Sequence, residues 1–330
     1  MKYLIITIDT EGDNLWEYKP GDKISTGNSR YIPRFQNLCE KYGYKPVYLV
    51  NHEMAADNYF CDFAVSLLKG NNCETGIHLH AWNSPPYYEL KNSSAGYGPP
   101  YLTEYPPSVM RQKFDALFNL LTEKLQCSPV SHRAGRWTMN QDYFDILIEY
   151  GIKVDCSVTP HLSWKHSWGH STGGSDYRHS SEEPFPVRHS SSGKTITEIP
   201  VTVRKIRHHT PVAGKGSALR KCLVSAKNAL FGKAIWLRPN GHNLSEMLIL
   251  IDHIGKTESG YIMFMLHSSE LMPGGSPTFK TTDSVEKLFR DIDIIFESVS
   301  GSFTGITLKD YHGLLSSDAG ARERAAGAIS

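Results

Sequence analysis

The segment Thr7-Ile8-Asp9-Thr10-Glu11-Gly12 follows the apolar run Tyr3–Ile6, and a second segment reads Glu74-Thr75-Gly76-Ile77-His78-Leu79-His80-Ala81-Trp82. Both read as strands whose ends carry chemistry. Side chains alternate along a strand, so Asp9 and Glu11 share one side of the first, and His78 and His80 share one side of the second. Brought together by adjacent parallel strands, two carboxylates and two imidazoles make a mixed nitrogen and oxygen metal site with one carboxylate left as a base. That pattern points to a metal-dependent hydrolase.

Outward from these segments, short apolar runs alternate with amphipathic stretches. Further strands are expected at Pro46–Val50, Val130–Arg133, Val154–Val158, Ile196–Val201, Tyr261–His267 and Phe303–Leu308. Helical spacing appears between them, clearest at Phe114, Leu117, Phe118, Leu121 and Leu125, and again at Tyr143–Glu149, Leu244–Ile254 and Ser284–Phe296. Asp283 with Glu286 reads as a capping box for the last of these. Strand–helix alternation implies parallel strands joined by right-handed crossovers. Seven or eight such units favour a distorted (β/α) barrel, whose chemistry gathers at the C-terminal ends of the strands. Asp9, His80, Arg133 and His267 all fall near such ends.

The expected organisation is one domain over residues 1–315, with irregular insertions near 84–107 and 161–227, and a flexible tail over 316–330. The first insertion is rich in Pro and Tyr; the second carries a basic run from Arg204 to Lys227. A net charge of +1 gives no electrostatic case for nucleic acid. No apolar stretch approaches the roughly 20 residues of a transmembrane helix. Asp9 and Glu11 interrupt the apolar start before the ~7–15 residues of a secretory signal core, so the expected location is cytoplasmic. The six scattered cysteines, without a CxxC pair, are read as free thiols. Ala213-Gly214-Lys215-Gly216-Ser217 lacks the spacing of a nucleotide phosphate loop.

Six segments in order resemble the polysaccharide deacetylase family, carbohydrate esterase family 4 or the NodB-homology domain. They are Thr7–Glu11, Glu74–His80, His132-Arg133-Ala134-Gly135-Arg136-Trp137, Asp155–Pro160, Glu198-Ile199-Pro200 and Leu266-His267-Ser268-Ser269-Glu270. Within that family the chain looks closest to a WbmS-type branch associated with surface-polysaccharide and O-antigen loci. The resemblance implies Asp9 as general base, Arg133 as the arginine that orients it, and His267 as general acid. It implies Glu11, His78 and His80 as ligands of a divalent metal, Zn²⁺ with Co²⁺ or Ni²⁺ as alternatives. Leu266 then belongs to the acetyl pocket, and Asp155 to the carboxylate that tunes His267. Trp82, Arg136, Trp137, Asp176, Arg178 and Glu198 are candidates for substrate contact or support, and Tyr87, Tyr88, Tyr97 and Tyr101 for sugar stacking.

The chain departs from the family pattern twice. Thr10 separates acids that are ordinarily adjacent, and Trp82 stands where the second histidine, four residues after the first, is usual. His80 takes that role if the site has two imidazoles; alternatively Asp9 itself is a ligand and Glu11 acts otherwise. The expected substrate is an acetylated sugar, nucleotide- or lipid-linked, whose N-acetyl group is hydrolysed in O-antigen or surface-polysaccharide (lipopolysaccharide) biosynthesis. Two alternatives stand beside it: a catalytically silent carbohydrate-binding homologue, and a hydrolase of another non-peptide C–N bond such as a cyclic amide.

Overall fold

A computed structural model describes the chain except for residues 14, 17–22, 89–98, 168, 170, 172, 208–229, 231 and 328–330. Strand β1 (Lys2–Thr10) is the spine of a curled sheet. On one side it pairs in parallel with β10 (Tyr261–His267), and on the other with β2 (Val47–Val50), followed by β3 (Glu74–Leu79), β4 (Ser131–Ala134), β5 (Val154–Asp155) and β7 (Thr195–Glu198). The antiparallel edge strand β6 (Phe185–Arg188) completes this path, and the short β11 (Phe303–Gly305) pairs with the start of β1. A separate ribbon pairs β8 (Val203–Ile206) with β9 (Lys233–Trp236).

The barrel expectation holds, with a gap between β7 and β10 that no regular strand among the described residues fills. Residues 199–202 cross it instead. Ile199 N–H donates to Asp155 O and Val201 N–H to Val158 O, while Met263 N–H donates to Thr202 Oγ1 at 2.7 Å. Leu237 N–H then donates to Thr202 O, and Met265 N–H to Leu237 O. This single-bond stitching satisfies backbone groups that a missing strand would orphan.

Alternation along β1 decides which residues face where. Leu4, Ile6 and Ile8 pack with the surrounding helices. Ile5 packs inside with Val47, Leu49, Met263 and Met265. Helices α1 (Ile32–Lys41), α2 (His52–Ala55), α3 (Asn58–Lys69), α4 (Pro107–Leu125), α5 (Gln141–Glu149), α6 (Leu244–Gly255) and α7 (Thr282–Val299) form the outer layer, whereas α8 (Leu308–Gly327) sets Leu308 and Tyr311 against the interior cluster that holds Ile5 and Tyr261. Helix α7 buries Val285, Leu288, Phe289, Ile292, Ile295, Phe296 and Val299, the i, i+3, i+4, i+7 stripe of a core-facing helix.

Several expectations are corrected. The capping box of α7 is formed by Thr281 and Ser284, not by Asp283 and Glu286, because the extended Thr281 is the residue whose hydroxyl accepts the Ser284 N–H at 3.2 Å. The strand expected over Phe303–Leu308 stops at Gly305, and Leu308 instead opens α8, which runs on to Gly327. The excursion read over 161–227 contains β6 and the start of the β8–β9 ribbon; Ala213–Ser217 and most of the basic run lie outside the described residues. The five described cysteines are free. Among the described residues no helix is long and apolar enough to cross a membrane.

The interior is tight where β2, β3 and β4 meet. A Cβ added at Gly76 would lie 2.7 Å from Leu49 Cδ2 and from the Ser131 carbonyl oxygen. Backbone cannot yield as a side-chain tip can, so overpacking here is costly. Gly76→Ala is expected to lower the unfolding free energy by about 1–3 kcal/mol, read as a reduced urea midpoint with an unchanged m-value.

Candidate active site

Parity and register bring the chemistry to one mouth of the barrel. Asp9 ends β1 directly beside His267 of β10, and His78 of β3 lies beside Arg133 of β4. All four point inward, with Glu11 and His80 one alternation beyond their strand partners.

Arg133 is fully buried and spans the interior. Its Nη1 donates to Asp9 Oδ1 at 2.6 Å, Nη2 to Thr7 Oγ1 at 2.9 Å, and Nε to the Cys156 carbonyl at 3.1 Å. Burial alone would raise the Asp9 carboxyl; the Arg133 guanidinium, with the imidazoles of His78 and His267, overrides it and holds the pKa below the usual aspartate range. Asp9 is therefore ionised, with Oδ1 occupied. Its Oδ2 faces His267 Nε2 at 3.7 Å and His78 Nε2 at 4.0 Å.

Beside it, Glu11, His78 and His80 converge. His80 Nε2 is 2.8 Å from Glu11 Oε2 and 3.1 Å from His78 Nε2, which is itself 3.5 Å from the same oxygen. His78 Nδ1 lies 3.0 Å from the Arg133 carbonyl, which can only accept, so Nδ1 carries a proton. In the neutral ring Nε2 then aims a lone pair into the shared space. Such an outer hydrogen bond is how a metal-ligating histidine is commonly oriented. The three separations match the edge of roughly 3.3 Å expected for a tetrahedral site with bonds near 2.0–2.1 Å. The donor set fits a divalent ion. Burial opposes ionisation of Glu11 too, but His267, His78 and His80 outweigh it and keep the carboxyl well below its ordinary value. Burial also lowers the pKa of His80, which favours the neutral ring a ligand requires.

The surrounding backbone is built for this approach. Gly12 sits where a Cβ would meet the Ser25 carbonyl at 2.8 Å, and its N–H donates to Glu53 Oε1 at 2.7 Å. The backbone of Glu11 is pinned by Asn28 Nδ2, which donates to its carbonyl at 2.7 Å, and by Ser268. Gly135 lets β4 close on His80, since a Cβ there would come within 2.8 Å of His80 Nδ1. Arg136 and Trp137 follow with φ of 57° and 63°, left-handed conformations unusual for such residues and concentrated at functional sites.

Above the acids and imidazoles lies a cleft of about 370 Å³. Trp82, Tyr101, Arg136 and Trp137 line it. Tyr87 is 73% exposed and Tyr88 packs on Tyr105, so neither belongs to it, and Tyr97 lies outside the described residues. Trp16, Trp164 and Arg238 also line the cleft, and no sequence pattern signals them because all three come from irregular segments without periodicity. Trp164 stacks at 12° on Trp137, and Trp16 meets the His267 ring edge-on at 5.0 Å.

Five further candidate residues lie away from the cleft. Leu266 faces the helix layer, because it is adjacent to the inward-facing His267 and must point the other way. Asp155 does not reach His267: its Oδ1 meets His132 Nδ1 at 2.6 Å, and His132 Nε2 meets the Tyr143 hydroxyl at 2.6 Å. Glu198 is buried beside Asp155 on the neighbouring strand and accepts the Val158 N–H at 2.9 Å. Burial and the Asp155 charge push its carboxyl well up, whereas His132 overcomes burial to keep Asp155 low. Asp176 and Arg178 pair with each other at 2.7 Å and do not line the cleft.

The carboxylate beside His267 is Glu270. Its Oε2 accepts the His267 N–H at 2.8 Å and its Oε1 accepts from Arg238 Nη2 at 3.2 Å.

No protein-family model matches the sequence, and no curated protein matches it. Solved structures do share the fold. One, from Mycobacterium smegmatis and assigned by name to the polysaccharide deacetylases, aligns over 96% of this chain and 92% of its own, with a TM-score of 0.51 and 13% identity. The fold is the polysaccharide deacetylase barrel. A 4-α-glucanotransferase from Thermococcus litoralis aligns equally well, with a TM-score of 0.51 and 10% identity over 94% of this chain, which spans 38% of that protein's length. One fold thus carries different carbohydrate chemistries, and activity must be argued from the site.

Burial alone would raise the Glu270 carboxyl, but Arg238 and the His267 contacts hold it down at about 2. A depressed carboxylate contributes stability above its unfolded pKa of ~4.3 and loses it as pH falls toward the folded value. Unfolding free energy should therefore drop by about 3 kcal/mol between about pH 5 and 1 through this group. Glu270→Gln is expected to lack that part of the acid dependence in denaturant titrations run across the same range.

Proposed function

We propose that the protein is a metal-dependent hydrolase that removes the acetyl group from the nitrogen of an acetylated sugar. The reading extends to a nucleotide- or lipid-linked precursor of O-antigen or surface polysaccharide, modified in the cytoplasm. The observation that carries it is the meeting, within one aromatic-walled cleft, of an ionised Asp9 clamped by Arg133, the Glu11–His78–His80 donor set, and His267.

Glu11, His78 and His80 would hold the ion, with Zn²⁺ the best match to two imidazoles and a carboxylate and Co²⁺ or Ni²⁺ as substitutes. When bound, the ion supplies Lewis acidity toward the acetyl carbonyl and lowers the pKa of water. The rest belongs to the chain. Arg133 fixes Asp9 so that Oδ2 alone is open, and this oxygen accepts the proton of the attacking water. His267 Nε2 faces the same space from β10, on the side where a sugar nitrogen leaves. Trp82, Trp137 and Trp164 offer flat faces on which the C–H groups of a sugar ring pack while excluding water. The scissile amide then lies over Asp9 and His267 on the cleft side, held by the ring it is attached to.

Acetate release from N-acetylated nucleotide sugars and lipid-linked glycans is the test. Asp9→Asn is expected to reduce the rate about 10²–10⁴-fold. Chelation should abolish activity and added Zn²⁺ restore it. Acetate release that survives both chelation and Asp9→Asn would remove the proposal.

A further inference from the structure

The ribbon strand β9 ends at Trp236, and two residues later Arg238 enters the cleft. Its Nη2 lies 3.0 Å from His267 Nδ1 and 3.2 Å from Glu270 Oε1. A guanidinium has only donors, so the nitrogen it faces must be an acceptor. His267 Nδ1 therefore carries a lone pair, and the ring proton sits on Nε2. That proton points into the cleft, where Nε2 is 3.7 Å from Asp9 Oδ2 and 3.8 Å from Glu11 Oε1.

Arg238 is itself held in place. Its carbonyl accepts from Asn243 Nδ2 at 2.8 Å, its guanidinium lies 5.5 Å from the centre of the Trp236 ring, and the buried Glu270 balances its charge. Glu270 also accepts the His267 backbone N–H at 2.8 Å, so one carboxylate fixes both the arginine and the residue the arginine orients. Glu270 Oε2 lies 3.5 Å from Nδ1, farther than Arg238, so the guanidinium makes the closer contact to that nitrogen.

We infer that Arg238 is a positioning residue that locks His267 as a neutral imidazole with its proton on Nε2, so that His267 donates a hydrogen bond to the departing sugar nitrogen while Asp9 carries the transferred proton. The inference rests on the proposed deacetylation for its kinetic part only. Atoms balance without a further reactant. Water gives one proton to Asp9 Oδ2 as its oxygen bonds to the acetyl carbon. The C–N bond then breaks with its electron pair going to nitrogen, and Asp9 returns the proton to that nitrogen. His267 ends as it began, and the second water proton leaves on the acetic acid, which ionises in solvent, beside the free amine.

The tautomer is read directly by ¹⁵N NMR of the histidine rings in the full-length protein. His267 should show an unprotonated Nδ1 and a protonated Nε2, assigned by loss of the signals in His267→Gln. In Arg238→Met, and in the charge-balanced Arg238→Met/Glu270→Gln, that lock should relax toward a mixture of tautomers. A protonated Nδ1 in the unaltered protein, or an unchanged tautomer in both variants, overturns the inference whatever the enzyme's activity. In kinetics, either variant should lower kcat on the N-acetyl substrate about 10²-fold, with KM little changed. It should lower turnover of an aryl acetate, whose leaving group needs no assistance, less than about 3-fold. Equal losses on both substrates would mean a merely structural role and overturn the inference. An unaltered protein that releases no acetate would instead remove the proposed function, leaving the NMR result to stand alone.

Discussion

The interaction on which the rest depends is the buried ion pair between Arg133 and Asp9. Most of the barrel interior is apolar, built from Ile5, Val47, Leu49, Val154, Met263 and Met265. A lone carboxylate or guanidinium in such surroundings costs several kcal/mol in lost hydration. The pair is stable because every arm of the guanidinium is engaged: Asp9 and Thr7 on β1, Cys156 O just past β5, and Met263 sulfur on β10. The same bonds tie three strands around a charged centre. The structural requirement and the chemical one coincide, since a base held ionised at the floor of a cleft is what hydrolysis of an unactivated amide needs.

From that fixed point the remaining groups follow by register. Parallel strands present their C-terminal ends at the same level, so inward residues near those ends are brought to one mouth. Asp9 sits beside His267 and His78 beside Arg133 because their strands are paired in that register. One alternation further, Glu11 and His80 face each other across the 2.8 Å contact that defines the donor set. Nothing in this construction needs a loop to place a reacting group; loops supply the walls.

That division explains what the sequence disclosed. Period-two alternation is a local property, so the strands, the inward acids and imidazoles, and the barrel were legible from short windows. For Leu266 and Asp155 the same alternation contradicts the roles implied by the resemblance. Leu266 adjoins the inward His267, and Asp155 adjoins Cys156, which packs inside, so both must face outward. Trp16, Trp164 and Arg238 were illegible for another reason. They lie on segments without a repeating pattern, and only the tertiary path of the β8–β9 ribbon carries Arg238 to His267.

The two departures from the family pattern have one physical meaning. Adjacent acids on an extended segment point to opposite faces, and a histidine four residues after another reaches the same point when the chain turns helical. Here Thr10 moves the second acid to i+2, and His80 is also at i+2 from His78. Both pairs thus have strand spacing, so that each issues from one face of one extended chain. Trp82 lines the cleft, its ring 5.8 Å from that of His80. With both pairs at strand spacing, His78 Nε2, His80 Nε2 and Glu11 Oε2 lie mutually within 3.5 Å and form a three-donor centre beside an aromatic wall.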